Sequence, residues 1–482
     1  MPTVVEQSPQ WWLLNLYRRL LGRLPEIRRY EDYYEGRHRL NFVTSEYREE
    51  FGKMLAGVTD NWMALVVDAV EERLHVDGFR IPDDSGEGQA DKSAWTTWQR
   101  NCLDADSELV HQIALQAGSA YAMVWYGAED TAEITAEHPS QTIIAYAGGS
   151  RRERLAALKT WTDEWTGAVR ANVYMPDGIY KFESSKVPAP TDYVTPSGRA
   201  RDLGLVWDRT WSVSSEDDGF VENPLGVVPI VEFRNRPRML GVGRSEIADV
   251  ISTQDQINKL VCDMLVAAEF SAFRQRWATG VEVPTDPVTG KELDDSFAAA
   301  VNRLWSVPSD AARFGEFGET DLGNYVKAIE NRVQSLASRT RTPPHYLLGQ
   351  SGSFPSGESL KATETGLIAK VRSRQRHFGE AWEEVMRLSF MVQDESAAAE
   401  QYSSETIWAD PESRSESEHV DALIKLRGLQ VPLKQLWEDA GYTPPQIERF
   451  DGMLIGEALN RIMSGQPAAP QPSAMAEPLV EV

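Results

Sequence analysis

Apolar residues recur every three or four positions along most of this chain and every second position along one stretch of it. Residues 11–34 predict an amphipathic helix on Trp12, Leu16, Leu20 and Leu24, with Pro25 expected to break it before a further helical piece. Helical signals continue over 46–74, where Trp62, Leu65, Val66, Ala69, Val70 and Leu74 share one face and VDGF reads as a turn. A polar loop over 83–92 and a helix over 95–117 follow. From 120 to about 235 the period falls to two, predicting short strands between turns, with MPDGIY as a hairpin turned by its Asp-Gly pair.

Beyond that region three long helices are predicted. The first runs from about 244 to 272 on Ile247, Val250, Ile251, Gln254, Ile257, Val261, Met264, Leu265 and Ala268. It would be roughly 43 Å long at about 1.5 Å per residue. Ser245 is placed to cap it, with Gly241 and Gly243 releasing the chain into it. An insert rich in Pro, Gly and Asp separates it from a second helix on Leu322, Tyr325, Val326, Ile329, Val333 and Leu336, which ends before Pro343 and Pro344. A Gly/Ser/Pro loop leads to the third, from about 358 to 390, anchored by Leu360, Leu367, Val371, Phe378, Trp382 and Val385. Shorter helices are expected over EHVDALIKLRG, PLKQLWEDA and PPQIERFDGMLIGEALNRIM, and disorder in the Pro/Ala-rich end from Gly465. The fold class is α+β and predominantly helical.

Length and charge bound what such a chain does. At 482 residues it suggests about three domains, and 41% hydrophobic residues supply ample core. Basic residues number 49 against 73 acidic, a net charge of -24, which excludes a protein that coats DNA through clustered cations. Cys102 and Cys262 make no disulfide framework and read as buried free thiols in a reducing compartment. No secretory signal is expected, because Arg18, Arg19 and Arg23 interrupt the first apolar stretch. Residues 109–128 lack charged side chains but contain His111, Gln112, Gln116 and Ser119, and so read as a buried helix passing into a strand.

Catalytic patterns are missing. The chain has no GxxxxGK[ST], HExxH, GxSxG or GxGxxG, and GVGRSE lacks the third glycine of a dinucleotide loop. The adjacent pairs Glu71–Glu72, Asp217–Asp218 and Glu383–Glu384 do not point one way on a regular helix or strand. Asp249, Asp255 and Asp263 lie along the 244–272 segment without a histidine and read as solvated or intersubunit charge. No catalytic residue, metal or cofactor is expected. One interval departs from the acidity: from Gln334 to Phe390 there are eight basic and five acidic residues. Lys370, Arg372, Arg374 and Arg376 spread around the third helix as a solvated or intersubunit face, and Lys361 is the candidate phosphate contact. From 391 to 482 there are 16 acidic and six basic residues, a segment that should avoid DNA.

Five blocks then carry a family resemblance in order: YYEGRHRLNF at 33–42, NWMALVVDAVEERLHVDGF at 61–79, and VVPIVEFRNRPRMLGVGRSEIADVISTQDQINKLVCDM at 227–264. TRTPPHYLLGQSGSFPSGESLKATETGLIAKVRSRQRHFGEAWEEVMRL at 340–388 and WADPESRSESEHVDALIKLRG at 408–428 complete them. Across nearly its whole length the chain resembles the portal proteins of tailed bacteriophages, of the SPP1 type common in phages of actinobacteria. The resemblance implies a ring, usually of twelve copies, at one capsid vertex in the virion, assembled in the host cytoplasm. Double-stranded DNA would pass through it without sequence recognition. Terminase, a head-tail adaptor, and major capsid and scaffolding proteins are the implied partners, and no membrane is involved.

The same resemblance implies a wing over 1–242, a first stem helix over 243–272, a clip over 273–318 and a second stem helix over 319–342. A tunnel loop over 343–357, a long wing helix over 358–404, a crown over 405–465 and a tail over 466–482 complete the layout. Gln350, Ser351, Gly352, Ser353, Phe354, Pro355, Ser356 and Lys361 would then face DNA, while Ile247, Val250, Ile257, Val261 and Leu265 pack the stem. ATP hydrolysis would belong to the terminase. A metal-dependent hydrolase or nuclease, and a capsid scaffold or adaptor without a channel, are the alternative readings.

Overall fold

The computed structural model describes residues 5–37, 59–80, 91–128, 131–184, 211–239, 241–272, 276–280, 313–316, 318, 321–348, 357–412 and 416–464. Along the chain, helices α1 (Pro9–Tyr34) and α2 (Met63–Glu71) precede strand β1 (Val76–Arg80), then α3 (Lys92–Arg100) and α4 (Leu103–Ala117). Strands β2 (Ser119–Tyr126), β3 (Ala132–Glu137), β4 (Thr142–Tyr146), β5 (Arg154–Thr162), β6 (Val169–Tyr174) and β7 (Gly178–Ser184) come next. The short β8 (Ser212–Val213) and β9 (Phe220–Glu222) precede β10 (Ile230–Arg234). Helix α5 (Ile251–Ala272), strands β11 (Arg276–Thr279) and β12 (Arg313–Glu316), α6 (Leu322–Thr340) and α7 (Pro344–Leu347) follow. The chain continues through α8 (Gly357–Val392), α9 (Ser396–Ala399), β13 (Glu405–Trp408), α10 (Glu416–Gly428), α11 (Leu433–Asp439) and α12 (Pro444–Ser464).

Two compact units divide these elements. The larger takes Met1–Asp32, Leu65–Ala248 and Phe354–Val482, and the smaller Tyr33–Ala64 and Asp249–Ser353. In the larger unit, strands β4-β5-β6-β7-β8 pair antiparallel in that order, with β9 also on β7, and a second sheet runs β10-β2-β3. Alternate residues of a strand face opposite ways, and both faces of the larger sheet are covered. Ile143, Ala145, Ala156, Leu158, Ala171, Val173 and Phe182 meet Leu13, Leu16, Tyr17, Leu20 and Leu24 of α1. On the other face, Ile144, Ala157, Tyr174 and Ile179 meet Tyr121, Val228 and Ile230.

A third core is aromatic. Trp382 of α8 lies 4.9 Å from Trp98 and 4.6 Å from Phe233 between ring centroids, both nearly edge-on. His111 stacks on Phe378 at 5.3 Å and accepts the Trp382 indole N–H on Nε2 at 2.9 Å. Burial pushes the His111 imidazole down to about 3, so it is neutral over the physiological range.

Several expectations are corrected. Helix α1 runs unbroken through Pro25, because Leu20, Leu21, Leu24 and Ile27 are all buried and hold both sides of the missing N–H. VDGF belongs to a strand: β1 pairs with β13, a partner more than 300 residues away, around a bulge between Val76 and Gly78. The helix expected over 95–117 breaks where Cys102 takes a left-handed conformation, φ 52°, and that cysteine is exposed. The hairpin forms, but Pro176 and Asp177 occupy its tip, with Met175 and Gly178 exchanging backbone hydrogen bonds. Gly178 is needed for another reason, since a Cβ there would stand 2.2 Å from the Phe220 ring.

The first long helix also starts later than its pattern suggests, at Ile251 instead of near 244. Upstream backbone groups are already engaged: Arg244 N–H donates to Asn235 O at 2.8 Å and Glu246 N–H to Leu115 O at 2.9 Å. Ser245 caps no helix, and its hydroxyl accepts the Ile247 N–H at 3.2 Å. Gly243 serves a close approach, because a Cβ there would lie 1.9 Å from Gly118 O. The stretch 343–357 is no continuous loop, since Pro344–Leu347 form a helical turn and α8 begins at Gly357. Two proline rings start that turn at the position where helices tolerate a missing N–H.

Candidate functional site

Within the smaller unit α5 and α6 run antiparallel. Arg339 donates to Thr253 Oγ1 at 3.0 Å and, farther along, Arg332 to Gln256 Oε1 at 3.4 Å. Beyond them β11 and β12 pair antiparallel from Arg276↔Glu316 to Thr279↔Arg313. The insert is thus closed at its base by a two-stranded ladder, while the expected segment between, 281–312, lies outside the described residues.

The two halves of α5 differ in chemistry. Near its start α5 buries the polar side chains of Thr253, Gln254, Asp255 and Asn258, each with a partner. Tyr33 Oη donates to Asp255 Oδ1 at 2.7 Å, Asn258 Oδ1 accepts the Asp60 N–H at 3.0 Å, and Gln254 Oε1 accepts the Trp62 N–H at 3.0 Å. The Gln254 amide also donates to Asp60 O. Asp255 is therefore no solvated charge. These side chains satisfy backbone groups of Asp60 and Trp62, which lie outside any helix or strand. Periodicity placed Gln254 on the stripe, but the hydrogen bonds to residues 60–62 connect positions nearly 200 apart in sequence and had no local signal.

Farther along, Leu260, Val261, Met264, Leu265, Val266, Ala267 and Ala268 are all half-buried, and Asp263 is the only charge from 260 to 268. Adjacent positions on a helix point different ways, so apolar side chains occupy most of this run's circumference, with Cys262 buried and Asp263 paired to Lys259. One antiparallel neighbour covers only one side. Helix α6 shows the same gradient: Val333 and Leu336 are fully buried near its end, whereas Tyr325 and Ile329 are half-buried and Val326 is 47% exposed. Of the expected packing residues, Ile257 is fully buried, and Val261 and Leu265 lie on the half-buried stretch. Val250 is buried just before the helix begins, and Ile247 is buried in the larger unit.

Of the nominated DNA-facing residues, Gln350, Ser351, Gly352, Ser353, Phe354, Pro355 and Ser356 lie outside the described residues. Lys361 is exposed on the second turn of α8. Arg341 closes α6 in a left-handed conformation, φ 57°, and is exposed where the chain turns into Pro343.

The basic side chains farther along α8 do not form one solvated face. Lys370 and Arg374 are buried against Glu246: Arg374 forks onto Oε1 at 2.9 and 2.5 Å, and Lys370 Nζ stands 3.6 Å from Oε2. Burial alone would raise the Glu246 carboxyl, but the cations Lys370 and Arg374 outweigh it and hold the group below its ordinary value. Arg372 instead pairs at the surface with Glu412 at 2.6 Å. Among the described residues, no group of three or more His, Cys, Asp or Glu side chains has the geometry to hold a metal ion.

Residues 15–443 match the family model described as phage portal protein, SPP1 Gp6-like. The portal protein of Mycobacterium phage L5 is 28% identical over 463 residues, covering 92% of this chain and 90% of the relative. That of Mycobacterium phage D29 is 27% identical over 438 residues, covering 88% and 84%. A chain from the virion of a native gene transfer agent particle aligns over 84% of this chain and 89% of its own, with a TM-score of 0.35 at 11% identity.

Proposed function

This chain belongs to the SPP1-like phage portal protein family, whose members are structural components of the virion capsid, and from that membership we propose that it forms a DNA-conducting ring of twelve copies. The observation that carries the ring is the 260–268 stretch of α5, apolar at every position but Asp263 and, Cys262 apart, only half-buried in one copy. A helix with that composition belongs inside a core, and a second copy packed beside it supplies one. In a cyclic ring every subunit presents two different faces to its neighbours, so a helix with apolar residues on several sides suits a place between them.

In this reading α5 and α6 are the stem, with the insert between them (273–318) as the clip that docks the terminase motor and the head-tail adaptor. Residues 1–242 and the long helix α8 form the wing, and 405–465 the crown. Major capsid and scaffolding proteins surround the ring. Residues 350–356, within the tunnel loop over 343–357, and Lys361 face DNA. A net charge of -24 per copy repels phosphate, so double-stranded DNA slides past the wall while a few cations steady it.

Native mass measurement and axial images of the purified chain test the assembly. A closed ring is expected, and a stable monomer under every assembly condition would overturn the reading. Deleting residues 349–355 is expected to leave the ring intact and lower the yield of filled heads. Normal filling would remove the loop from the DNA path.

A further inference from the structure

The larger sheet ends in turns of opposite chemistry. At one end the β5–β6 turn is fixed by Asp163, whose carboxylate accepts the N–H groups of Trp165 at 2.9 Å and Thr166 at 3.1 Å. The Asp163 carbonyl accepts the Gly167 N–H at 2.7 Å. So held, the turn presents Trp165 to solvent, 96% exposed. Arg170 ties it to the turn before β9, standing 3.4 Å from Asp163 and donating to Glu216 at 2.6 Å. Lys181 is taken by Asp217, and farther back on β5 Lys159 is taken by Glu137. Glu164, Glu183 and Asp218 have no ion pair among the described residues. Asp163, Glu164, Glu183, Glu216, Asp217 and Asp218 thus stand against Arg170 and Lys181 alone, a strong excess of negative charge around one exposed indole.

At the other end the β4–β5 turn is fixed by Ser150, whose hydroxyl accepts the Arg152 N–H at 3.2 Å and the Glu153 N–H at 3.0 Å. Arg151 reaches α8 here. Burial first, then the charges of Arg374, Arg376 and Arg151, hold the His377 imidazole below its ordinary value, with Glu380 opposing them. Arg151, Arg152 and Arg376 are exposed and form no ion pair among the described residues, and Glu153 and Glu380 are the exposed carboxylates beside them. Behind them Glu384 is shared by Arg154 and Arg387, and Glu383 accepts the Thr406 N–H at 3.1 Å. This end therefore offers free guanidiniums where the other offers free carboxylates. Strand β5, nine residues, holds the two ends roughly 30 Å apart at about 3.3 Å per residue, so one copy cannot join them.

We propose that the two ends meet between copies, Trp165 of one subunit docking on the Arg151–Arg152 turn of a second copy of this chain, with Glu164 and Asp218 beside it. The contact rests on the ring reading above and names one of its interfaces. A cyclic ring needs two different, mutually complementary faces on each subunit, and opposite ends of one sheet supply them. An indole is the best side-chain face for a cation, and arginine is the cation that most often takes it. The carboxylates around it favour a basic face over an acidic one and set the register. A turn already fixed by its own hydrogen bonds loses little freedom on docking.

Native mass followed against concentration of the full-length protein tests the contact. Trp165→Ala is expected to raise the concentration at half-assembly at least about tenfold. Glu164→Arg and Arg152→Glu should each raise it severalfold, and both together in one chain should recover most of the loss. All three positions are exposed, so the unfolding temperature of the unassembled chain should stay at the parent value. A fall in Trp165→Ala would mean that the indole packs within its own copy, and would overturn the contact. Variants that assemble at the parent concentration, or a double variant that recovers nothing, would overturn it while leaving the ring reading in place. A parent chain that forms no ring would remove both.

Discussion

Around Trp382 the larger unit closes its apolar surface on itself, whereas along Leu260–Ala268 the smaller unit leaves most of its apolar side chains only partly buried. In the first region rings from α3, α4, β10 and α8 interlock, and even the buried imidazole finds an indole donor. In the second, α5 packs on α6, and Leu260, Val261 and Met264 to Ala268 stay only partly buried within the copy. The difference separates what one chain stabilises alone from what only assembly completes. Apolar surface left half-wet in a subunit is free energy reserved for the contact that covers it.

The largest expected effect lies in the closed region. Trp382→Ala removes a fully buried indole and leaves a cavity, and a loss of about 3–5 kcal/mol is expected in denaturant unfolding of the unassembled chain. A loss below about 1 kcal/mol would mean that the aromatic core is not self-sufficient.

Next come two aspartates on one helix. Ile257→Asp places a charge in the sealed half of α5 and should lower the unfolding temperature of the chain itself. Leu265→Asp, on the half-open stretch, should change that temperature little and instead shift light-scattering mass from ring to smaller species. If both variants unfold early, or both assemble normally, the contrast between the two halves of α5 fails.

The smallest effect is a pH slope. His111 titrates near 6.5 in the unfolded chain and is pushed down to about 3 by burial in the fold. Between those values the unfolded state binds the extra proton, so stability is full above the unfolded pKa and is lost as pH falls toward the folded one. The contribution reaches about 1.4 kcal/mol per pH unit for one proton. Unfolding free energies between pH 6.5 and 4.5 should show it, and His111→Gln should flatten it. An unchanged slope would place the acid sensitivity on other groups, with Glu246 the next candidate. That carboxyl is depressed, so its contribution is present above its unfolded pKa and disappears only as pH falls through its lower folded value.

Misreadings of the sequence share a physical cause. Pro25 looked like a helix break because the rule concerns the local hydrogen bond, whereas burial on both sides of it decided the outcome. Residues 244–250 carried helical spacing, yet their N–H groups reached Asn235 and Leu115 first. Lys370 and Arg374 looked like solvated cations because the partner that buries them, Glu246, lies more than 120 residues upstream. Asp255 looked solvated until Tyr33 was placed beside it.

By itself the sequence determined the alternation of helix and strand, the three long helices, the acidic balance and the family. Each of these follows from spacing along the chain, from summed charge or from the order of family-like blocks, none of which needs a fold to be read. Only the tertiary structure decided which charges are buried, where the first long helix starts and which apolar faces remain open. It also brought Arg151 beside His377. Those outcomes depend on which distant groups meet, and desolvation and hydrogen bonding take their values only after they have met.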